Sequence, residues 1–128
     1  EDRWTADPVW QNSDVFALNN SVFPIVTVFT CKNGIFQNTN YVSLVEAFLL
    51  RQNRGAVACV APTELSVENF AEKIADGFFQ SFGANNEPRL GDSLSLGLSN
   101  LFFNGNSSAY ELMGYQVFGD PALLVYPP

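Results

Sequence analysis

Residues 22–34, Val22-Phe23-Pro24-Ile25-Val26-Thr27-Val28-Phe29-Thr30-Cys31-Lys32-Asn33-Gly34, decide the fold. From Val22 to Thr30 the run is continuously apolar and β-branched, the pattern of a strand buried on both faces in a parallel sheet. A strand with one wet face would alternate instead. The run stops at Cys31 and opens into the polar loop that follows. Downstream, Val42 to Arg51 carries Leu44, Val45, Phe48 and Leu49 at helical spacing and closes on Arg51, Arg54 and Gly55, which predicts a helix and its C-terminus. Ala56 to Ala61 is then a second short, wholly apolar strand that stops at Pro62. Two such strands separated by a helix are most simply joined by a right-handed βαβ crossover, so a mostly parallel sheet is expected.

Outward from this unit, Ser66 is placed to cap a longer helix whose buried stripe is Phe70, Ile74, Phe78 and Phe82, with Gly83 just past its end. That stripe reads as core. Asp92 starts another helix, with Leu94, Leu98 and Leu101 on one face, and Asn104-Gly105-Asn106 breaks it. Tyr110 to Tyr115 forms one more short helix. Gly119-Asp120-Pro121 is a tight turn, with Asp120 capping it, that feeds a final strand from Ala122 to Tyr126. Pro127-Pro128 reads as the start of a linker. Residues 1 to 20, with Asp7-Pro8 and Asn19-Asn20-Ser21 as turn chemistry, read as a surface loop with one helical turn around Val15 to Leu18. The order β-α-β-α-α-β indicates an α/β sandwich with helices on both faces of the sheet.

The chain has 128 residues, room for one domain or part of one, and 47% of them are hydrophobic, enough for a packed core. Six Lys and Arg stand against 13 Asp and Glu, a net charge of −7 that repels phosphate backbones and argues against a nucleic-acid partner. No apolar run of about 18 residues is present, so no membrane span is expected. The chain opens on Glu1, with neither Met nor a signal segment, which is expected of a processed or partial polypeptide. Histidine is absent. No His-based metal site, Ser-His-Asp triad or Cys-His dyad can therefore be completed within these residues. Cys31 and Cys59 are too few for a disulfide scaffold and too far apart for a zinc knuckle, and they do not fix the redox compartment. No metal or other cofactor is expected.

Functional crevices of parallel α/β sheets lie beyond the carboxyl ends of the strands. Cys31, Lys32, Asn33 and Gly34 fall at one such end, Pro62 and Thr63 at its neighbour. Cys31 there reads in two ways, as a thiol exposed on a rigid strand tip or as a small buried hydrophobe. Nucleophilic work needs the thiolate, and so an imidazole or another cation nearby. Lys32 is adjacent in sequence but points to the other side of an extended chain. Cys59, mid-strand, reads as core. Asn33-Gly34 is a turn dipeptide favoured where positive φ is required. Glu46 either pairs with Arg51 or Arg54 or reaches a functional site at the start of its helix.

Several segments occur in a telling order: Pro24-Ile25-Val26 leading to Cys31-Lys32-Asn33-Gly34-Ile35-Phe36, Val45-Glu46-Ala47, Gly55-Ala56-Val57-Ala58, and Val117-Phe118-Gly119-Asp120-Pro121-Ala122-Leu123. Together they resemble the gingipain-like cysteine peptidases of family C25, over nearly the whole chain. The resemblance implies a caspase-like three-layer α/β/α sandwich. Residues 1–126 would form the C-terminal part of the peptidase domain, with 127–128 opening a linker. It further implies that Cys31 is the nucleophile of a thiol protease and that its backbone N–H contributes to the oxyanion hole. In the family a His-Gly pair precedes a Trp by several residues. Trp4-Thr5-Ala6-Asp7-Pro8 looks like that Trp segment, so the base would lie upstream of Glu1. The partners implied are a peptide or protein substrate and the N-terminal half of the same domain. Export to the cell surface or medium is implied as well. Trp4, Ala61, Pro62 and Thr63 would be walls of the substrate pocket. Two other readings remain beside the endopeptidase: a non-catalytic peptidase-like scaffold or secretion-associated binding module, and an isolated intracellular α/β binding domain.

Overall fold

A computed structural model of the chain describes residues 3–4, 10–37, 40–84, 89–104 and 109–125. The expectations for residues 5–8, for Gly105-Asn106, for Tyr126 to Pro128 and for the side chain of Trp4 lie outside the described residues.

The central strand is β4 (Ala58–Pro62), buried along its whole length. On one side it pairs in parallel with β3 (Ile25–Thr27), Ile25 opposite Ala58 and Thr27 opposite Val60. On the other it pairs antiparallel with β5 (Tyr115–Phe118), Cys59 opposite Phe118 and Pro62 opposite Tyr115. A strand enclosed on both faces must be apolar on both, and β4 is. Ala58 and Val60 join a cluster with Ile74 and Phe78 of α3 (Glu68–Ala84) and Leu94 and Leu101 of α4 (Leu90–Asn104). Cys59 and Ala61 point the other way, into a cluster with Val15 of α1 (Asn12–Ala17) and Leu44, Val45 and Phe48 of α2 (Leu44–Leu49). Helices thus cover both faces of the sheet.

Local chemistry fixes each helix. Ser43 caps α2 reciprocally: its Oγ accepts from Glu46 N–H at 3.3 Å, while the Glu46 carboxylate accepts from Ser43 N–H at 2.8 Å. Glu46 is thus engaged in capping its own helix, which neither expected role described. Arg51 and Arg54 donate instead to the carbonyls of Phe16 and Leu18, tying α1 to the end of α2. Helices α3 and α4 run antiparallel and very close. A Cβ on Gly97 would lie 2.5 Å from the Ile74 carbonyl oxygen, and one on Gly77 would lie 2.8 Å from that of Leu96. Only glycine permits this approach. In the expected stripe of α3, Ile74 and Phe78 are buried and Phe70 and Phe82 pack partly exposed against them.

Several expectations need correction. The described sheet is small and mixed, not mostly parallel. Its third strand is Tyr115–Phe118, not Ala122 to Tyr126. The N–H groups after the turn are already used: Ala122 donates to Asp120 Oδ1 at 2.8 Å and Leu123 to the Asp120 carbonyl at 3.1 Å. Asp120 does cap its turn. The carbonyls of Pro121 and Leu123 then accept from Gly91 and Leu90, satisfying otherwise orphaned donors at the start of α4. Helix α4 therefore begins at Leu90, with Asp92 inside its first turn. The first strand is shorter than Val22 to Thr30. Pro24 has no N–H to give a ladder, and Val22 is 79% exposed. Ser66 does not cap α3, which begins at Glu68 and continues through Gly83 to Ala84. Near the amino terminus, β1 (Arg3–Trp4) pairs antiparallel with β2 (Trp10–Gln11), and α1 follows directly. The short helix expected near Tyr110 is α5 (Ala109–Gly114), which runs straight into β5.

Candidate active site

Beyond Thr27 the chain follows β4 for one more hydrogen bond, Val28 N–H to the Val60 carbonyl at 2.8 Å, and then reverses. Lys32, at φ 58°, takes the left-handed conformation that makes the reversal. The positive φ thus falls on Lys32, not on Asn33-Gly34. After it the chain runs back along the segment that follows β4. Lys32 N–H donates to the Glu64 carbonyl at 3.0 Å, and Gly34 N–H donates to the Pro62 carbonyl at 2.9 Å. Gly34 serves close packing here: a Cβ would lie 2.8 Å from the Phe118 ring and 3.2 Å from the Pro62 oxygen. Asn33 is buried. Its Oδ1 accepts from Thr30 Oγ1 at 3.2 Å, and its carbonyl accepts from Val45 N–H in the first turn of α2 at 3.1 Å.

Cys31 is at the apex of this reversal, and it is exposed. Of its two readings, the buried hydrophobe falls. Its Sγ donates to the Ser66 carbonyl at 3.1 Å. Cys59 is the opposite case: fully buried, with its thiol pushed up from 9.0 to about 12 by burial. One cysteine is available to chemistry and the other is core.

The two expected strand ends do meet. Ala61, Pro62 and Thr63 are buried, however, and what this segment offers the Cys31 turn is backbone, the Pro62 carbonyl. Thr63 also anchors the end of α5, its N–H and its hydroxyl both donating to the Gly114 carbonyl, at 2.8 and 3.1 Å. Ser66, whose carbonyl meets the Cys31 thiol, was marked in the sequence only as a helix cap, and Glu111 and Tyr115, which hold Ser66, were not marked as site residues. Glu111, buried on α5, accepts from Ser66 Oγ at 3.0 Å and from Val67 N–H at 2.9 Å. Tyr115 OH donates to Ser66 Oγ at 3.1 Å. Glu111 lies 45 residues from Ser66, so only the tertiary fold reveals the contact. No group of three or more His, Cys, Asp or Glu side chains among the described residues could hold a metal ion. No described helix is long and apolar enough to cross a membrane.

An exposed thiol on a braced turn at the carboxyl end of the parallel pair β3–β4 is suited to nucleophilic attack. Comparisons with known proteins bear on the family and the fold. The family model described as peptidase family C25 matches residues 1–126. The crystal structure of the Arg-specific cysteine proteinase gingipain R (RgpB) is similar at a TM-score of 0.76 and 21% identity, over 98% of this chain and 31% of that one. A complex of Porphyromonas gingivalis RgpB pro- and mature domains is similar at 0.78 and 22%, over 98% and 32%. A third structure, described only as a protease, is similar at 0.75 and 16%, over 98% and 33%. No curated protein matches. At these identities the structural likeness is one of fold, and the chain spans about a third of each of those chains. With the family model covering all but its last two residues, the chain belongs to peptidase family C25 and forms part of a catalytic domain of that family.

Proposed function

We propose that this chain carries the nucleophile of a cysteine endopeptidase, and that the observation supporting it best is the exposed Cys31 at the apex of the braced turn. A base takes the thiol proton, and the sulfur attacks a scissile peptide carbonyl to form a tetrahedral intermediate. The C–N bond then breaks as the protonated base returns its proton to the leaving amine, and water hydrolyses the thioester to regenerate the thiol. The Cys31 N–H contributes to the oxyanion hole. The base is a histidine outside these residues, because the 128 contain none. The 61–63 segment shapes the substrate pocket through its backbone.

The remainder of the catalytic domain, including strands that extend the sheet, docks against the outer edge of β3. Of the two described edge strands of this sheet, β5 and β3, each with a partner on one side only, the choice falls on β3. Beside it runs an apolar groove lined by Trp10, Leu18, Val22, Ile25 and Phe48. The parent acts outside the cell, on peptide or protein substrates, as the resemblance to gingipain-like enzymes implies.

Replacing Cys31 by Ala in the full-length protein tests this reading. Loss of peptide cleavage on the order of 10³-fold or more is expected. Undiminished cleavage by Cys31→Ala would overturn it. A full-length protein that cleaves nothing, with Cys31 no more reactive to iodoacetamide than an ordinary thiol, would favour the non-catalytic scaffold instead.

A further inference from the structure

A buried carboxylate costs several kcal/mol of lost hydration unless its oxygens find donors. Glu111, 4% exposed, has one for each: Val67 N–H on Oε1 and Ser66 Oγ–H on Oε2. A carboxylate only accepts, so Ser66 must donate to it and accept from Tyr115 OH. Tyr115 keeps the proton this requires. Burial pushes its phenol up from 10.0 to about 12, against the opposing pull of the Ser66 hydrogen bond and with the help of the nearby Glu111 carboxylate. The ring itself is held by stacking on Phe29, with centroids 5.9 Å apart. The side chain of Ser66 is thus pinned from two directions. Its main-chain carbonyl is the acceptor of the Cys31 thiol.

We propose that Glu111 is a positioning residue for Cys31: by clamping Ser66 and Val67 it fixes the carbonyl that orients the thiol. The proposal rests on Cys31 being the nucleophile, but one of its readouts requires no turnover. The carboxylate and Tyr115 anchor the 64–67 segment to α5 and β5, and that segment in turn holds the Cys31 turn through the Lys32 to Glu64 and Cys31 to Ser66 contacts. Without Glu111 the Ser66 carbonyl is free to rotate away and Sγ loses its fixed rotamer. A sulfur held within a few tenths of an ångström of its line of attack gains rate through orientation, which substrate binding alone does not supply.

The test uses the full-length protein with Glu111→Ala, Glu111→Gln and Ser66→Ala, and measures both peptide cleavage and iodoacetamide alkylation of Cys31 by mass spectrometry. Glu111→Ala and Ser66→Ala are expected to lower kcat about fivefold or more with KM nearly unchanged, the rate equivalent of one ordinary hydrogen bond. Both should raise Cys31 alkylation about fivefold, since reaction of the native thiol must first break its bond to the Ser66 carbonyl. Glu111→Gln should restore both quantities. Its amide oxygen accepts from Val67 N–H, and its NH₂ donates to Ser66 Oγ, whose own proton then turns to the Tyr115 oxygen. Cys59 reports on folding in the same digest, staying unmodified in any variant whose core is intact. Should Glu111→Ala expose Cys59, Ser66→Ala decides, because it removes one hydroxyl and leaves the buried carboxylate with its bond from Val67 N–H. Unchanged kcat and Cys31 alkylation in a folded Glu111→Ala or Ser66→Ala variant would overturn the proposal, as would equal losses in Glu111→Ala and Glu111→Gln. Failure of the parent reading is distinguishable: Cys31→Ala would then cleave peptides normally, while the alkylation comparison still decides the role of Glu111.

Discussion

The Phe118 ring lies against Gly34 so closely that a Cβ on the glycine would come within 2.8 Å of it, which couples the last strand of the sheet to the turn bearing Cys31. Phe118 is braced from outside by Phe36 in an edge-to-face contact at 5.9 Å. The backbone oxygen of Pro62, 3.2 Å from the same Cβ position, cannot swing aside as a ring can. Gly34→Ala is expected to destabilise the domain by about 1–3 kcal/mol and to lower cleavage through displacement of the turn. Thermal melting and kcat on the same sample would check it; a variant of wild-type stability would show that the turn absorbs the methyl.

The α3–α4 interface offers a sharper contrast between two glycines. Gly97→Ala drives a Cβ to 2.5 Å from the Ile74 carbonyl, so the helices must part, at a cost of about 1–3 kcal/mol or more. Gly114→Ala meets nothing within 4 Å and should fall within about 0.5 kcal/mol of wild type. Denaturant titration of the two variants side by side measures the difference directly.

Alkaline pH should weaken the fold through two buried groups. Cys59 is raised from 9.0 to about 12 by burial, and Tyr115 from 10.0 to about 12, chiefly by burial. Between the unfolded and folded values the unfolded chain has lost the proton that the native state keeps, so stability falls as pH rises. The slope is about 1.4 kcal/mol per pH unit for each group in that window. Both contributions are fully present below pH 9. Chemical denaturation between pH 8 and pH 11 should therefore show stability declining above about pH 9, and Cys59→Ala should remove the earlier part of the decline. A profile flat to pH 11 would contradict the burial of both groups.

The free edge of β3 and its apolar groove predict self-association of the 128-residue chain on its own, since unpaired strand edges beside exposed apolar surface recruit further strands. Val22, on the lip of that groove, is well exposed, so Val22→Asp should reduce association without costing stability. Sedimentation velocity over a concentration series distinguishes the outcomes, and a clean monomer of the unsubstituted chain would count against the docking edge.

What the sequence revealed and what it concealed follow from the range of the interactions involved. The two-faced burial of β4 is written in Ala58 to Ala61, though the expected strand began too early, at Ala56, and ran through an exposed Val57; the helical stripe through Ile74 and Phe78 is written in its own spacing. Cys31 was legible because it ends an apolar run, where the parallel topology puts chemistry. The last strand was not. Ala122 to Val125 looks more like a buried strand than Tyr115–Phe118, but its first N–H groups are committed to the Asp120 turn and its neighbouring carbonyls to the start of α4. Tyr115–Phe118 follows α5 without a break, and Gly114, which marks the boundary, is the last residue of the helix and not part of a separate turn. Glu111 was hidden for a similar reason: its partners on Ser66 and Val67 are 45 and 44 residues away, and no local spacing encodes them.

The central claim is that Cys31 performs the chemistry, and limited alkylation of the full-length protein tests it most directly. Iodoacetamide is added in increments, and the fraction of Cys31 modified, read by mass spectrometry with Cys59 as the internal protected control, is plotted against remaining peptide cleavage. The account predicts that activity falls in direct proportion to Cys31 modification and reaches zero when Cys31 is fully alkylated, with Cys59 still unmodified. Cleavage that persists with Cys31 fully alkylated would contradict it.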